Sequence, residues 1–184
     1  MGVFEDVVVP WIFDAEGGYV DNAVDHGGTT KYGISLRYLR ECADGDIDRD
    51  GDVDADDVRV LTREDALRLY RRDYWQVNGC EVFPAALGLC LFDAAAHHGG
   101  QTARKLIQQG LGCTPDGIFG TQTLAAVRAS ESDPELQRKA IAEYAAQRAA
   151  RFCRIVVDDR SQATFMMGWY RRLMRLVTTA LGVV

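Results

Sequence analysis

Two acidic residues lie in or beside a glycine-rich loop near the start of the chain. Glu16 follows a stretch with a helical spacing of apolar residues, and Asp25 lies nine residues further on. A carboxyl group in a partly apolar site stays protonated and can donate its proton to the leaving oxygen of a glycosidic bond. A surface acid at a helix C-terminus would instead oppose the helix dipole. The sequence therefore indicates Glu16 as the candidate general acid.

The second catalytic group is open between several residues. Asp25 could position a water molecule or stabilise an oxocarbenium-like transition state, and its alternative role is that of an Asx-turn residue that holds the loop. Asp14 and Asp21 are further candidates. The distance between the two carboxyl groups distinguishes a retaining from an inverting enzyme, and both mechanisms stay open at this point.

Hydroxyl-bearing and aromatic residues accompany these acids. The glycines of the loop allow the backbone to approach a sugar closely. The side chains of Tyr19, Thr30 and Tyr32 can hydrogen-bond to a sugar or stack on it, and packing in the core is the alternative for Tyr19. We expect these three residues to contact the substrate.

The order of these residues resembles the signature of glycoside hydrolase family 108, the bacterial and phage N-acetylmuramidases. The match runs over two segments, Glu16-Gly17-Gly18-Tyr19 and residues 25–35. The resemblance implies a lysozyme-like helical fold with a small hairpin near the active site. It also implies that the chain hydrolyses the β-1,4 bond between N-acetylmuramic acid and N-acetylglucosamine in peptidoglycan, with Glu16 as the general acid.

Later blocks extend the resemblance over nearly the whole chain. It implies a lysozyme-like catalytic part at 1–100 and a helical peptidoglycan-binding part at 101–184, packed as one globule. It also implies a substrate-binding role for His98, for which a structural histidine is the alternative. The blocks that resemble the family lie at residues 61–75, 92–99, 111–124 and 168–172.

The segment from Asp46 to Asp57 has the residue order of an EF-hand calcium loop. Calcium prefers oxygen ligands, and acids recur at alternate positions of this segment, with Gly51 where the chain must turn sharply. The loop is similar to dockerin-like loops, because it ends on an Asp instead of the usual Glu. We expect a structural Ca²⁺ site, and a solvated acidic loop is the alternative. The expected ligands are Asp46, Asp48, Asp50, Asp52 (through its backbone carbonyl) and Asp57, with Asp54 binding directly or through water.

The net charge of −6 is concentrated in one place. Residues 44–57 hold eight Asp and one Arg, a local charge of −7, so the remaining residues sum to +1. Nucleic acid is therefore not an expected partner. The five cysteines lack the spacing of metal ligands, which predicts buried and reduced thiols.

The first residues of the chain carry acids instead of the basic region of a signal peptide. We expect a protein that is made in the host cytoplasm and acts on the cell wall or periplasm after release, as a phage endolysin. A bacterial autolysin or a secretion-associated wall enzyme is the alternative. We also expect a monomer.

A helical spacing of apolar residues recurs along almost the whole chain and predicts a mainly α fold, with a short hairpin around residues 19–34. The C-terminal helix is basic and amphipathic. Packing on the core with a basic outer face is favoured over contact with a membrane. Predicted helices cover residues 3–16, 33–43, 62–75, 84–98, 102–109, 134–157 and 161–181, and two more begin near Ala55 and at Thr121.

Two other functions stay open from the sequence. One is a peptidoglycan-binding or calcium-regulated interaction module that lacks catalysis, and the presence of Glu16 together with the complete glycine-rich loop argues against it. The other is a lytic transglycosylase, which cleaves the same bond but leaves an anhydro ring instead of a reducing end. Activity on purified wall and the identity of its products separate these functions.

Overall fold

A computed structural model describes residues 2–15 and 29–184. Over these residues the chain is almost entirely helical, with one small antiparallel sheet, so the predicted mainly α fold is confirmed. Within the described part of the chain, no helix combines the length and the apolar character that crossing a membrane requires. The chain divides into two compact units, Met1–Arg72 and Asp73–Val184, and the predicted division at residue 100 stays a prediction.

The first unit begins with a helix that is wound as a π-helix over Phe4–Val8 and continues as helix α1 over Val9–Ala15. Its interior is made of apolar side chains from its helices and from the second strand of its sheet, with Val8, Leu39, Val58 and Leu69 fully buried. The other elements of this unit are strands β1 (Thr30–Lys31) and β2 (Ile34–Ser35) and helices α2 (Leu36–Glu41), α3 (Ala55–Val60) and α4 (Arg63–Tyr70).

The second unit is built around helix α5, Ala85–His98, which is apolar on all sides and buried from Ala86 to Ala95. A helix of this kind belongs in the centre of a bundle. It packs against α6 (Gly100–Gly110), α8 (Pro134–Asp158) and α9 (Met166–Val183), while α7 (Thr121–Glu131) packs on α8. Trp75 is buried against Phe92 of α5.

Side-chain caps fix where several helices begin. The Thr62 hydroxyl accepts a hydrogen bond from the N–H of Asp65, and the Asp65 carboxylate accepts one from the N–H of Thr62, which starts α4. Asp133 caps α8, where Pro134 occupies the first helical position. Both starts agree with the sequence prediction.

Some elements differ from their predicted bounds for local reasons. Helix α2 starts at Leu36 and not near residue 33, because residues 30–35 form the hairpin and the Ser35 hydroxyl caps the helix. A short 3₁₀ helix over Arg160–Phe165 precedes α9, which begins at Met166. The predicted burial of the thiols holds for Cys80, Cys90 and Cys113. Cys42 is half-buried, and the prediction is wrong for Cys153, which lies on the exposed side of α8.

Candidate functional site

The residues that the sequence singles out most strongly, Glu16, Tyr19 and Asp25, lie outside the described residues. The same holds for Asp21 and for the side chain of Asp14. Their roles stay predictions. The structure does describe the chain on both sides of the gap, namely helix α1 before it and the hairpin after it.

The hairpin places Thr30 opposite Ser35 and Lys31 opposite Ile34. Its turn consists of Tyr32, with φ 53°, and Gly33, with φ 76°. Positive φ at both central residues is the turn geometry that matches the twist of antiparallel strands. Glycine adopts it without strain, whereas a tyrosine needs support from its surroundings.

Three contacts hold Tyr32 in this conformation. Its ring meets the ring of Phe13 edge to face, with the centroids 5.9 Å apart. The Tyr70 hydroxyl donates a hydrogen bond to the Tyr32 carbonyl at 3.2 Å, and the Lys31 ammonium lies 5.6 Å from the Tyr32 ring centroid. The turn is therefore tied to both α1 and α4. Phe13 lies three residues before Glu16 in the sequence, so these contacts fix the end of the helix that leads to the candidate acid.

The residues next to the turn also hold backbone structure. Thr29 is buried, and its carbonyl accepts a hydrogen bond from the N–H of Leu36 at 3.1 Å. The Ser35 hydroxyl accepts one from the N–H of Tyr38 at 3.2 Å. Thr30 is half-buried on β1. This end of the glycine-rich segment is thus a preformed structure between α1 and α2.

The acidic loop, residues 44–57, is held in place by contacts at both of its ends. The Asp44 carboxylate accepts hydrogen bonds from Arg72, at 2.7 Å, and from Arg68, both near the end of the first unit. The Arg72 hydrogen bond is the main reason that the pKa of Asp44 lies below its usual range. Arg40 of α2 donates to the carbonyl of Val53 at 3.2 Å. These contacts hold the loop against α2 and the Arg68–Arg72 segment.

Carboxylate oxygens converge in two groups within the loop. Those of Asp46, Asp48 and Asp50 lie within 4.8 Å of one another, and so do those of Asp52, Asp54 and Asp57. The chain turns between the groups at Gly51, with φ 105°. An all-oxygen donor set of this kind suits a hard cation such as Ca²⁺. The residues therefore fit the expected ion, and the first group offers three of the five expected ligands.

Repulsion between the acids of the loop affects their protonation. The pKa of Asp52 lies above its usual value, chiefly because the carboxylate of Asp50 is close. Without a cation, several negative charges on one loop repel each other, although solvent screens them.

Asp57 closes the loop. It is 1 % exposed, and its carboxylate accepts hydrogen bonds from the N–H groups of Ile47 at 2.6 Å, Asp48 at 3.3 Å and Asp54 at 2.7 Å. Burial alone would raise its pKa, but these hydrogen bonds outweigh it and hold the pKa below the usual range. Asp57 therefore joins the beginning of the loop to the N-terminus of α3, where it completes a capping box with Asp54.

His98 ends helix α5 and has a structural contact. Its Nε2 accepts a hydrogen bond from the Arg148 guanidinium at 3.3 Å, and its ring packs against Phe152. Burial, together with the positive charge of Arg148, lowers the pKa of His98 to about 3. The ring is therefore neutral over the physiological range and serves as an acceptor. Its predicted contact with substrate stays a prediction.

Asp93 lies at the centre of a buried ionic network that the sequence analysis missed. Its carboxylate accepts hydrogen bonds from Arg148 at 2.5 Å and from Arg172 at 2.8 Å. Arg148 also donates to the Tyr144 hydroxyl at 2.9 Å, which in turn donates to the carbonyl of Cys90 at 2.9 Å. Asp93 and Arg148 have no exposed side-chain surface. The network joins helices α5, α8 and α9.

A sequence signal for this network existed. Tyr144, Arg148 and Phe152 follow each other at four-residue intervals on α8 and are all buried. An arginine in the register of a buried helix face requires a buried acid as its partner. The pattern alone does not identify Asp93, which lies 55 residues away in the sequence.

Gln108 of α6 organises the turn-rich connector before α7. It is 1 % exposed, and its side-chain amide donates to the Asp116 carboxylate at 2.8 Å and to the Ile118 carbonyl at 2.9 Å. Its amide oxygen accepts from the N–H of Gly117 at 2.7 Å, where φ is 83°. One buried amide thus adds to the few backbone hydrogen bonds that hold residues 113–120.

We expect acid to destabilise the protein through His98. The folded-state pKa of about 3 lies below the value of about 6.5 for an unperturbed histidine, so the unfolded chain binds more protons as the pH falls below about 6.5. The stability that neutral His98 contributes is complete above that pH and is lost below it. Since the ring is partly exposed, the expected loss is on the order of 1 kcal/mol near pH 5.

Denaturant unfolding of the wild type and of His98→Gln over this pH window measures the effect. Glutamine keeps an acceptor for Arg148 but does not titrate, so the free energy of unfolding of the variant should fall less steeply. Parallel pH profiles of the two proteins would contradict the assignment.

Both the N-terminal and the C-terminal half of the chain match known protein families. Residues 9–99 match the family described as "Glycosyl hydrolase 108", and residues 102–174 match the family described as "Predicted Peptidoglycan domain". The solved structure of Brucella abortus SagA is similar over 95 % of this chain and 92 % of its own, with 30 % sequence identity and a TM-score of 0.72. No protein with curated annotation matches.

Proposed function

We propose that this chain is an N-acetylmuramidase. It belongs to the glycosyl hydrolase 108 family and is a glycoside hydrolase that acts on peptidoglycan. It would cleave the β-1,4 bond between N-acetylmuramic acid and N-acetylglucosamine. The observation that carries the proposal is the family match over residues 9–99, which includes Glu16 and the whole glycine-rich loop and is followed by the peptidoglycan domain.

In the proposed mechanism, Glu16 protonates the oxygen that leaves the anomeric carbon. On the opposite side of the sugar ring, Asp25 stabilises the oxocarbenium-like transition state or orients the water molecule that attacks the anomeric carbon. Tyr19, Thr30, Tyr32 and His98 are the proposed contacts to the glycan. A general acid in this position has to be protonated before cleavage, which requires a site that favours the neutral carboxyl group.

The hairpin supports this proposal through its rigidity. Tyr32 is tied to Phe13 and to Tyr70, so the end of the loop keeps a fixed position relative to the end of α1. Fixed geometry between a catalytic group and the residues that hold the substrate lowers the entropic cost of reaching the transition state. Phe13→Ala removes the ring contact with Tyr32, so we expect it to slow the release of fragments from peptidoglycan although Phe13 itself does not react.

Release of soluble fragments from purified peptidoglycan tests the enzymatic part of the proposal. The wild type should release fragments, and Glu64→Gln, which changes an exposed acid on α4, should do so at the same rate. Sedimentation of the protein with insoluble peptidoglycan but without release of fragments would favour the interaction module instead.

We further propose that the acidic loop binds one Ca²⁺ ion as a structural element. Asp46, Asp48 and Asp50 support this, because their carboxylate oxygens already converge. Asp52, Asp54 and Asp57 supply the other side of the loop. When bound, the ion would offset the negative charge of the segment and fix the path of the chain between α2 and α3. It would take no part in the cleavage of the glycosidic bond.

Removal of calcium should lower the melting temperature. At a calcium concentration of about 100 times its dissociation constant the ion stabilises the folded state by about 2.7 kcal/mol, which corresponds to a shift of roughly 5–10 °C for a chain of this size. Thermal unfolding with a chelator, and again after Ca²⁺ is restored, measures this shift. The double variant Asp48→Asn/Asp50→Asn should lose the response, while Glu64→Gln should keep it.

An unchanged melting temperature after chelation, in a protein that contains no calcium by elemental analysis, would contradict the calcium site. The endolysin role, the release from the host cytoplasm and the monomeric state stay predictions.

A further inference from the structure

Helix α9 carries an exposed apolar stripe. The stripe consists of Met167, Met174 and Leu181, which are 64 %, 53 % and 41 % exposed. They are spaced seven residues apart, which is close to two helical turns, so the three side chains lie above one another on the same face.

The opposite face of α9 anchors the helix in the second unit. Leu173, Leu176 and Ala180 are fully buried, and α9 packs against α5 and α8. Arg172 also faces inward, where it binds the carboxylate of Asp93. The burial that stabilises α9 is therefore supplied without the stripe, which faces away from these partners.

The charge of this region differs from that of the rest of the chain. Residues 160–184 contain four arginines and no acid, and one of these arginines, Arg172, is bound to Asp93. Arg171 is exposed and lies between Met167 and Met174 on the face of the stripe. The stripe thus combines apolar side chains with a cation and has no negative charge along its helix.

Two aromatic residues near the start of the helix lie off the face of the stripe, and one of them, Trp169, packs against Phe152 of α8. Phe165 is 54 % exposed and stacks on Trp169, with the ring centroids 6.2 Å apart and the planes 25° from parallel. Phe165 is therefore exposed at the start of the helix but is not part of the seven-residue repeat of the stripe.

We propose that the outer face of α9 binds the surface of a lipid bilayer that contains anionic lipids. Met167, Met174 and Leu181 would enter the region between the headgroups, and Arg171 would pair with phosphate. A polyanion without an apolar part would leave the stripe in water. A second copy of the chain would bring two Arg171 side chains into one interface, where like charges are unfavourable. An anionic bilayer satisfies both the apolar and the cationic groups.

Vesicle co-sedimentation of the full chain tests this proposal. The protein should bind vesicles of phosphatidylcholine mixed with phosphatidylglycerol and not vesicles of phosphatidylcholine alone, and salt should weaken the binding. The variant Met174→Ser/Leu181→Ser should reduce the partition coefficient by about tenfold. Arg171→Gln should reduce it by about fivefold.

Matched controls use exposed residues elsewhere in the second unit. Ile118→Ser removes an apolar side chain that is 69 % exposed, and Arg128→Gln removes an exposed cation of α7. Both controls should bind vesicles as the wild type does. Circular dichroism checks that all variants stay folded, which we expect because the substituted side chains lie outside the core.

Several results would overturn the proposal. These are equal binding to both kinds of vesicle, no binding to either, or the same loss in the control variants. A concentration-dependent dimer that Met174→Ser abolishes would show that a second copy covers the stripe. Binding to a soluble polyanion that depends on Arg171 but not on Met174 would indicate a polymer partner. Since the stripe has no part in the proposed cleavage, peptidoglycan hydrolysis is an independent measurement.

Discussion

Replacement of Glu16 by glutamine should lower the rate of peptidoglycan cleavage by about 10²–10⁴-fold. Glutamine has nearly the same shape as glutamic acid, but its amide cannot donate a proton to the leaving oxygen. The loss should appear in kcat, since the missing proton transfer occurs in the transition state, whereas binding of the polymer should change little.

Fragment release at saturating peptidoglycan, together with sedimentation of the protein with the insoluble polymer, separates these two effects. Glu64→Gln is the matched control, because it makes the same chemical change on an exposed face of α4. Asp25→Asn and Asp21→Asn, compared under the same conditions, should identify the second carboxylate by which of them lowers the rate. Undiminished cleavage by Glu16→Gln would place the general acid elsewhere.

Replacement of Asp93 by alanine should lower the free energy of unfolding by about 3–5 kcal/mol, the usual cost of leaving a buried charge without its partner. Arg148 has no exposed side-chain surface, and its Nη2 is already buried without a hydrogen-bond partner in the described structure. Once Asp93 is removed, the guanidinium groups of Arg148 and Arg172 lose the carboxylate that they share. The melting temperature should fall by roughly 10 °C.

Denaturant unfolding of Asp93→Ala, Arg148→Met and the double variant measures the coupling. The double variant should be more stable than the sum of the two single losses predicts, because methionine leaves no buried charge behind. Asp158→Asn, at the exposed end of α8, is the control and should change the free energy of unfolding little. A loss below about 1 kcal/mol in Asp93→Ala would contradict the structural role of the network.

The elements that the sequence predicted well are those whose signals are local. Thr62 with Asp65, and Asp133 with Pro134, mark the starts of α4 and α8 by the chemistry of their own side chains. The apolar run of α5 identifies a central helix because no face of it can be solvated. Such features depend on a few consecutive residues and are independent of the rest of the fold.

The features that the sequence did not predict depend on residues far apart in the chain. Asp93 meets Arg148 and Arg172 across 55 and 79 residues. Gln108 looks like an ordinary polar residue of an amphipathic helix, and only its burial beside the connector reveals its role. The exposure of Cys153 follows from the orientation of α8, which the cysteine itself does not determine.

The candidate site shows the same difference between local features and features that depend on distant residues. The type and order of Glu16 and the loop residues predict the chemistry, whereas the support of Tyr32 by Phe13 and Tyr70 required the structure. The pairing of Thr30 with Ser35 likewise shows how the loop ends in a rigid hairpin. The motif therefore predicts which groups react, and packing shows how part of the segment that carries them is held.

The most direct test of the proposed muramidase activity is mass spectrometry of the fragments released from purified peptidoglycan, after reduction of their ends with borohydride. Reduced N-acetylmuramic acid at the fragment ends, present with the wild type and absent with Glu16→Gln, is the predicted result. Reduced N-acetylglucosamine would mean that the other glycosidic bond is cleaved. Anhydro-muramic ends would mean a lytic transglycosylase, and either result would contradict the proposed muramidase.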